Sequence, residues 1–197
     1  MNGVRVVLLD GSPGSVAELT AALESALDGG PAVLPTTRTT PEPPTPPDGT
    51  AVVIATSGST GGAKLVALTA GALRASALAT QARLGGPARW LLALPADHVA
   101  GVQVVVRALL AGTVPVVQDL RDGFRPDAFA VATAALGDAR RCTSLVPTQL
   151  GRVLDAGGPA VDACAATRPC WSAGPRSTRR CTSGRARRGS RSSRRTG

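Results

Sequence analysis

Between Thr56 and Lys64 the chain reads Thr-Ser-Gly-Ser-Thr-Gly-Gly-Ala-Lys, which places four hydroxyls, three glycines and one lysine in nine residues. The all-apolar run Ala51-Val52-Val53-Ile54-Ala55 precedes it, and a helix-like pattern begins at Thr69. That order predicts a buried strand, a turn of small residues and then a helix. Hydroxyls and exposed backbone N–H groups donate to anionic oxygens, and glycines let the backbone come close and adopt positive φ. The lysine adds one mobile positive charge. These are the parts of a polyphosphate cradle. An ordinary strand–helix connection can use the same residue types, so both readings stand at this point.

The rest of the chain alternates strands and helices. Val4 to Leu9 reads as a strand. Ser15-Val16-Ala17-Glu18 has the form of a capping box, and Val16, Leu19, Leu23, Ala26 and Leu27 fall at helical spacing up to Gly29-Gly30. Six prolines and five threonines between Pro35 and Pro47 predict a polyproline-like connector. Beyond Lys64, Leu65 to Leu68 suits a short strand. Thr69 suits an N-cap for a helix to about Leu84, before Gly85-Gly86. Strands are expected at Arg89–Leu94, Val114–Val117 and Cys142–Val146, and helices at Val99–Leu110, Pro126–Leu136 and Pro147–Leu154. Asp127 in the first turn of its helix suits the dipole, and Pro147 suits a helix start. The fold class is therefore α/β with a mostly parallel sheet and flanking helices.

Composition excludes several classes. With 2% aromatic residues and no Tyr, the core must be built from Ala, Val and Leu. Met1 to Leu9 lacks the long apolar stretch of a signal peptide, and Gln103 and Arg107 interrupt the longest candidate for a membrane span. The expected location is the cytoplasm. The net charge of +9 is unevenly placed. Residues 1–166 carry 12 Lys+Arg against 13 Asp+Glu, whereas residues 167–197 carry ten Arg and no acid. The body thus has no nucleic-acid footprint. The four cysteines, Cys142, Cys164, Cys170 and Cys181, form no Cys-x-x-Cys pair, and His98 is the only histidine. No metal site is expected.

The loop lacks the Gly-Lys-Ser/Thr of a P-loop NTPase, because Lys64 lies between Ala63 and Leu65. It resembles instead the phosphate-loop signature of the adenylate-forming enzymes, Thr/Ser-Ser-Gly-Ser/Thr-Thr-Gly, two residues, then Lys. Ala63 departs from it, standing where that family usually has proline. Two further stretches are similar to the same family. Leu94-Pro95-Ala96-Asp97-His98-Val99-Ala100-Gly101 resembles Leu-Pro-x-x-His-x-x-Gly, and Ser144-Leu145-Val146-Pro147-Thr148-Gln149-Leu150 resembles its Val-Pro-Thr-x-Leu segment. Within the family, the run from Arg89 to Gln103 and the compact region before the loop are most like the o-succinylbenzoate–CoA ligases. The resemblance spans about residues 1–160.

It implies an ATP-dependent acid–CoA ligase using ATP, Mg²⁺ and coenzyme A. A carboxylate attacks the α-phosphorus of ATP, and coenzyme A then displaces AMP to give a thioester. The resemblance assigns Thr56, Ser57, Ser59, Thr60 and the N–H groups around Gly58, Gly61 and Gly62 to the phosphates. Lys64 would offset their charge, and His98 would lie beside the acid. A histidine at a helix start holding only a structural hydrogen bond is the alternative for His98. The partners implied are a small carboxylate and ATP, with no specific nucleic acid and no membrane.

The expected organisation is a strand–helix unit at 1–34, a linker at 35–50, an AMP-binding core fragment at 51–160 and a disordered Arg/Ser-rich tail at 161–197. A solvated basic tail, able to bind nucleic acid, is one reading of the last segment. Another is a shift of reading frame. Back-translated with GC-leaning codons and read one base earlier, Thr167 to Gly197 can spell a strand, a Gly-Gly-Ala turn, an amphipathic helix, a second strand and Thr-Tyr-Gly-Met. The family has that order of elements. On this reading the chain is a truncated ligase, inactive alone, or a nucleotide-binding remnant. It lacks the Tyr-Gly-x-Thr/Ser-Glu segment and the small domain carrying the catalytic lysine.

Overall fold

The computed structural model describes residues 3–39, 45–57 and 63–169. Its elements run β1 (Val4–Leu8), α1 (Pro13–Leu27), β2 (Ala32–Thr36), β3 (Thr50–Ser57), β4 (Ala63–Thr69), α2 (Ala70–Leu84), β5 (Arg89–Leu92), α3 (Val99–Leu110), β6 (Val116–Val117), α4 (Pro126–Ala134), β7 (Arg141–Thr143), α5 (Pro147–Ala156), α6 (Gly158–Ala166) and β8 (Arg168–Pro169).

The strands form two sheets rather than one. The first has the order β1-β2-β3-β4 and the second β6-β5-β7-β8. Every pairing is parallel except that of β3 with β4. Helices α1, α2 and α3 lie between the sheets: α1 packs on β1, β2 and β3, α2 on β3 and β4, and α3 on β5. Helices α4, α5 and α6 cover the other face of the second sheet. Strand β5 serves both layers. Trp90 and Leu92 join the core between the sheets, whereas Leu91 and Ala93 join the core under α4 to α6. A strand buried on both faces reads as a continuous apolar run, which is how Trp90 to Leu94 reads. The Arg107 guanidinium of α3 stacks 5.2 Å from the Trp90 ring centroid.

Local sequence accounts for most element ends. Thr69 caps α2 by accepting the Ala72 N–H at 3.2 Å, and Gly85 ends it at φ 83°. Three expectations are corrected. The first helix is capped by Ser12, whose Oγ accepts from the Ser15 N–H at 3.2 Å, with Pro13 as its opening residue. Proline pre-sets φ and needs no N–H partner there, so the helix starts before Ser15. Glu18 pairs with Arg5 instead of closing a box. Next, Ala32–Thr36 forms β2, so Pro35 and Thr36 belong to a strand rather than to the connector. Pro35 is tolerated because β2 pairs with β3 only at Val33, so its missing N–H breaks no ladder bond on that side. Finally, α6 carries the fold past residue 160 to Ala166. Residues 170–197, on which the expectation of a disordered tail falls, lie outside the described residues.

Candidate functional site

The Thr56–Lys64 stretch does not lead from a strand into a helix. It joins two antiparallel strands, with Thr56 opposite Lys64 and Ser57 opposite Ala63. The Thr56 hydroxyl donates to the Lys64 carbonyl at 3.1 Å. The N-terminus of α2 therefore lies five residues beyond Lys64 along β4, about 17 Å away at strand rise. Its dipole does not serve the loop, since such fields fade within a turn. Gly58, Ser59, Thr60, Gly61 and Gly62 lie outside the described residues, as do the side chains of Ser57 and Ala63. Of the two residues described, Thr56 is half-buried and Lys64 exposed. Side chains alternate along a strand, so Thr56 shares a face with Ile54, and Lys64 with Val66 and Leu68. Ile54 belongs to the core between the sheets and Leu68 packs against it. Thr56 and Lys64 therefore stand on the helix-facing side of the first sheet.

His98 stands on the second sheet's side of the molecule. It is the N-cap residue of α3, exposed, with no cap bond from its ring. Its ring is thus not held by the helix start, which was the alternative role for a histidine here. Gly101 explains the tightness of this turn, because a Cβ there would overlap the Pro95 carbonyl oxygen. The ring borders a cavity of about 380 Å³ at the C-terminal ends of β5 and β7, walled by Leu94, Pro95, Ala100 and Val146, with Thr148, Gln149 and Arg152 from α5. The ends of parallel strands are where open α/β sheets commonly take ligands. Sequence reasoning placed Thr148 and Gln149 in a motif but missed Arg152. Its signal was the i, i+4 spacing from Thr148 on a proline-opened helix, which puts both on one face. The Arg152 Nη1 donates to the Phe124 carbonyl at 3.3 Å, one of five N–H donors on that group.

A second cavity of about 330 Å³ shows how the sheets are oriented. It is lined by Leu9 and Asp10 after β1, Thr37 after β2, Pro95 and Asp97 after β5, and Gln118 after β6. The strand ends of both sheets therefore open at the same end of the molecule. Because β3 runs parallel to β2, the Thr56–Lys64 hairpin opens there too, two strands or about 10 Å along from β1. Thr56 and Lys64 come together directly. His98 shares their end of the molecule, although among the described residues no hydrogen bond joins it to either. Hydrogen bonds from Ser12, side chain and then backbone, and from the Ser15 hydroxyl hold the Asp10 carboxyl well below the usual carboxylate range. Asp119 and Asp127 are lowered by hydrogen bonds from the Arg121 and Arg125 side chains. Among the described residues no three His, Cys, Asp or Glu side chains are grouped as metal ligands. No helix among them is long and apolar enough to cross a membrane.

The sequence pattern of the AMP-binding enzyme family matches residues 2–187. This chain belongs to the AMP-binding enzyme family. The family match runs past residue 160, where the motif resemblance was expected to stop. The chain is 50% identical over 107 residues to the probable 2-succinylbenzoate–CoA ligases of Mycobacterium tuberculosis strains CDC 1551 / Oshkosh and ATCC 25618 / H37Rv. That match covers 54% of this chain and 28% of either ligase. Among solved structures, o-succinylbenzoate coenzyme A synthetase (MenE) from Bacillus subtilis, in complex with AMP, is 27% identical with a TM-score of 0.54, over 65% of this chain and 26% of that one. The amide bond synthetase McbA from Marinactinospora thermotolerans is 27% identical with a TM-score of 0.51, over 85% and 34%. As an AMP-binding family chain, this protein thus spans about a quarter to a third of the relatives it resembles.

Proposed function

We propose that the chain carries the phosphate-binding hairpin and the acid cavity of an ATP-dependent acid–CoA ligase, with an aromatic dicarboxylate of the 2-succinylbenzoate type as the acid. The observation that carries this reading is the opening of the Thr56–Lys64 hairpin and the His98 cavity at one end of two facing sheets. ATP would lie with its β- and γ-phosphates on the loop from Thr56 to Gly62, where Lys64 offsets their charge. The acid would enter the His98 cavity with its hydrocarbon against Leu94, Ala100 and Val146. Among the described residues Arg152 is the one Lys or Arg lining that cavity, and no carboxylate among them lines it. It therefore suits a second, non-reacting carboxylate, which a guanidinium grips at two oxygens. His98 would orient the reacting carboxylate toward the α-phosphorus. Positioning and charge neutralisation carry a step of this kind, which gives an acyl-adenylate and pyrophosphate. Mg²⁺ would accompany the polyphosphate, and coenzyme A would take the acyl group afterwards.

The test is calorimetric titration of the chain with ATP. Lys64→Ala should weaken ATP binding by about tenfold, roughly the 1.4 kcal/mol of one charge-assisted contact, while leaving the thermal midpoint unchanged. Lys64 is exposed, so a similar loss of binding and of stability would sink the assignment. The tail belongs to the same proposal: a frame shift near residues 160–167 would make residues 167–197 an out-of-frame translation, against which stands the family match through residue 187. Resequencing the coding DNA and its downstream flank checks this, since an uninterrupted frame with no ligase-like continuation would make the tail genuine.

A further inference from the structure

Strands β5 and β7 flank the His98 cavity and separate where it begins. Their pairing runs from Arg89 and Arg141 to Leu91 and Thr143, and stops there. Beyond that point the β5 carbonyls lose the N–H groups of β7, and a buried carbonyl still needs a partner. At the last paired position the Thr143 hydroxyl donates to the Leu91 carbonyl at 3.1 Å, and beyond it a side chain takes over. Two residues further on, Gln149 Nε2 donates to the Ala93 carbonyl at 2.7 Å. Gln149 Oε1 accepts the Val146 N–H at 3.1 Å. Gln149 is 7% exposed and lines the same cavity as His98.

We infer that Gln149 is a positioning residue for the acid cavity, a strut that fixes the gap between the Leu94–His98 turn and α5. Both halves of its amide are committed, one to each wall of the cleft. An amide of this length donates to Ala93 and accepts from Val146 at once without changing its charge. Glutamate would set a carboxylate oxygen against the Ala93 carbonyl. Methionine would leave that carbonyl and the Val146 N–H both without partners. The turn that follows is held at two places, by Gln149 at Ala93 and by the contact of Gly101 with Pro95. His98 has no cap bond of its own, so this turn sets where its ring stands. A change at Gln149 therefore reaches His98 through the backbone. The consequence for substrate rests on the function proposed above, whereas the positioning itself does not.

The experiment uses the full 197-residue chain, labelled with ¹⁵N and with ¹³C in its single histidine. In the wild type the Gln149 side-chain amide should exchange with solvent at least about tenfold more slowly than exposed side-chain amides. Gln149→Met and Gln149→Glu should both move the His98 ring signal without any ligand. Thr133→Val, which removes a buried bond to the Phe129 carbonyl in α4, should not move it. Titration with 2-succinylbenzoate should show binding weakened about tenfold in Gln149→Met, the loss expected for a misplaced polar contact. An unprotected Gln149 amide in the wild type overturns the inference even where a variant fails to fold. So does a His98 signal that Gln149→Met leaves in place, or that Thr133→Val moves as much. A wild-type chain that ignores 2-succinylbenzoate while its His98 signal still responds to Gln149 overturns the substrate proposal and leaves the strut standing.

Discussion

At the scale of single residues, small side chains do more here than charged ones. Gly101 is the clearest case, because the Pro95 carbonyl and the Ala96 Cα occupy the space a methyl would need. Gly101→Ala should cost about 1–3 kcal/mol, the usual range for overpacking a tight contact, read as a lower urea midpoint. Gly71 in α2 is the control, since an added Cβ there meets nothing closer than Thr69 Oγ1 at 4.0 Å. Gly71→Ala should be neutral or stabilising by about 0.4–1 kcal/mol. A sequence shows both glycines in helices but not which backbone each touches. His98 and Lys64 stood out by residue type and motif. Gln149 stood out only as the unspecified position of a motif, because its role depends on two strands separating in space.

At the scale of elements, the helices were largely legible and the strand pairings were not. Thr69 and Gly85 mark both ends of α2 in the sequence, and both do that work in the fold. Thr69→Ala should cost about 1 kcal/mol through the lost cap, with the loss seen in the urea midpoint and in faster amide exchange at Ala72. Strand β2 was hidden because Ala32-Val33-Leu34 runs straight into proline and carries no alternation. Its existence depends on β1, which supplies a partner for each of its five residues. The hairpin of β3 and β4 was half visible. Leu65 to Leu68 suited a strand, but the reversal of chain direction comes from the pairing of Val52 through Ser57 with Leu68 through Ala63, which no local signal encodes.

At the scale of the whole molecule, two cores meet at one strand. Phe129 is fully buried in the outer core, beneath α4. Phe129→Ala should cost about 3–5 kcal/mol, measured by chemical denaturation. The transition should stay single, because Leu91 and Leu92 tie the two cores through adjacent positions of β5. The layer between the sheets has a different character, with Ala22, Ala26, Ala77, Gly101 and Ala108 all buried in its helices. Helices meeting through small residues pack at the short end of the roughly 8–10 Å interaxial range. This layer is the spacer between the wall that bears Lys64 and the wall that bears His98. The scarcity of aromatic residues thus acts as a gauge. Thickening the spacer by a few methyl groups would move the proposed nucleotide site away from the proposed acid site without touching a residue of either one.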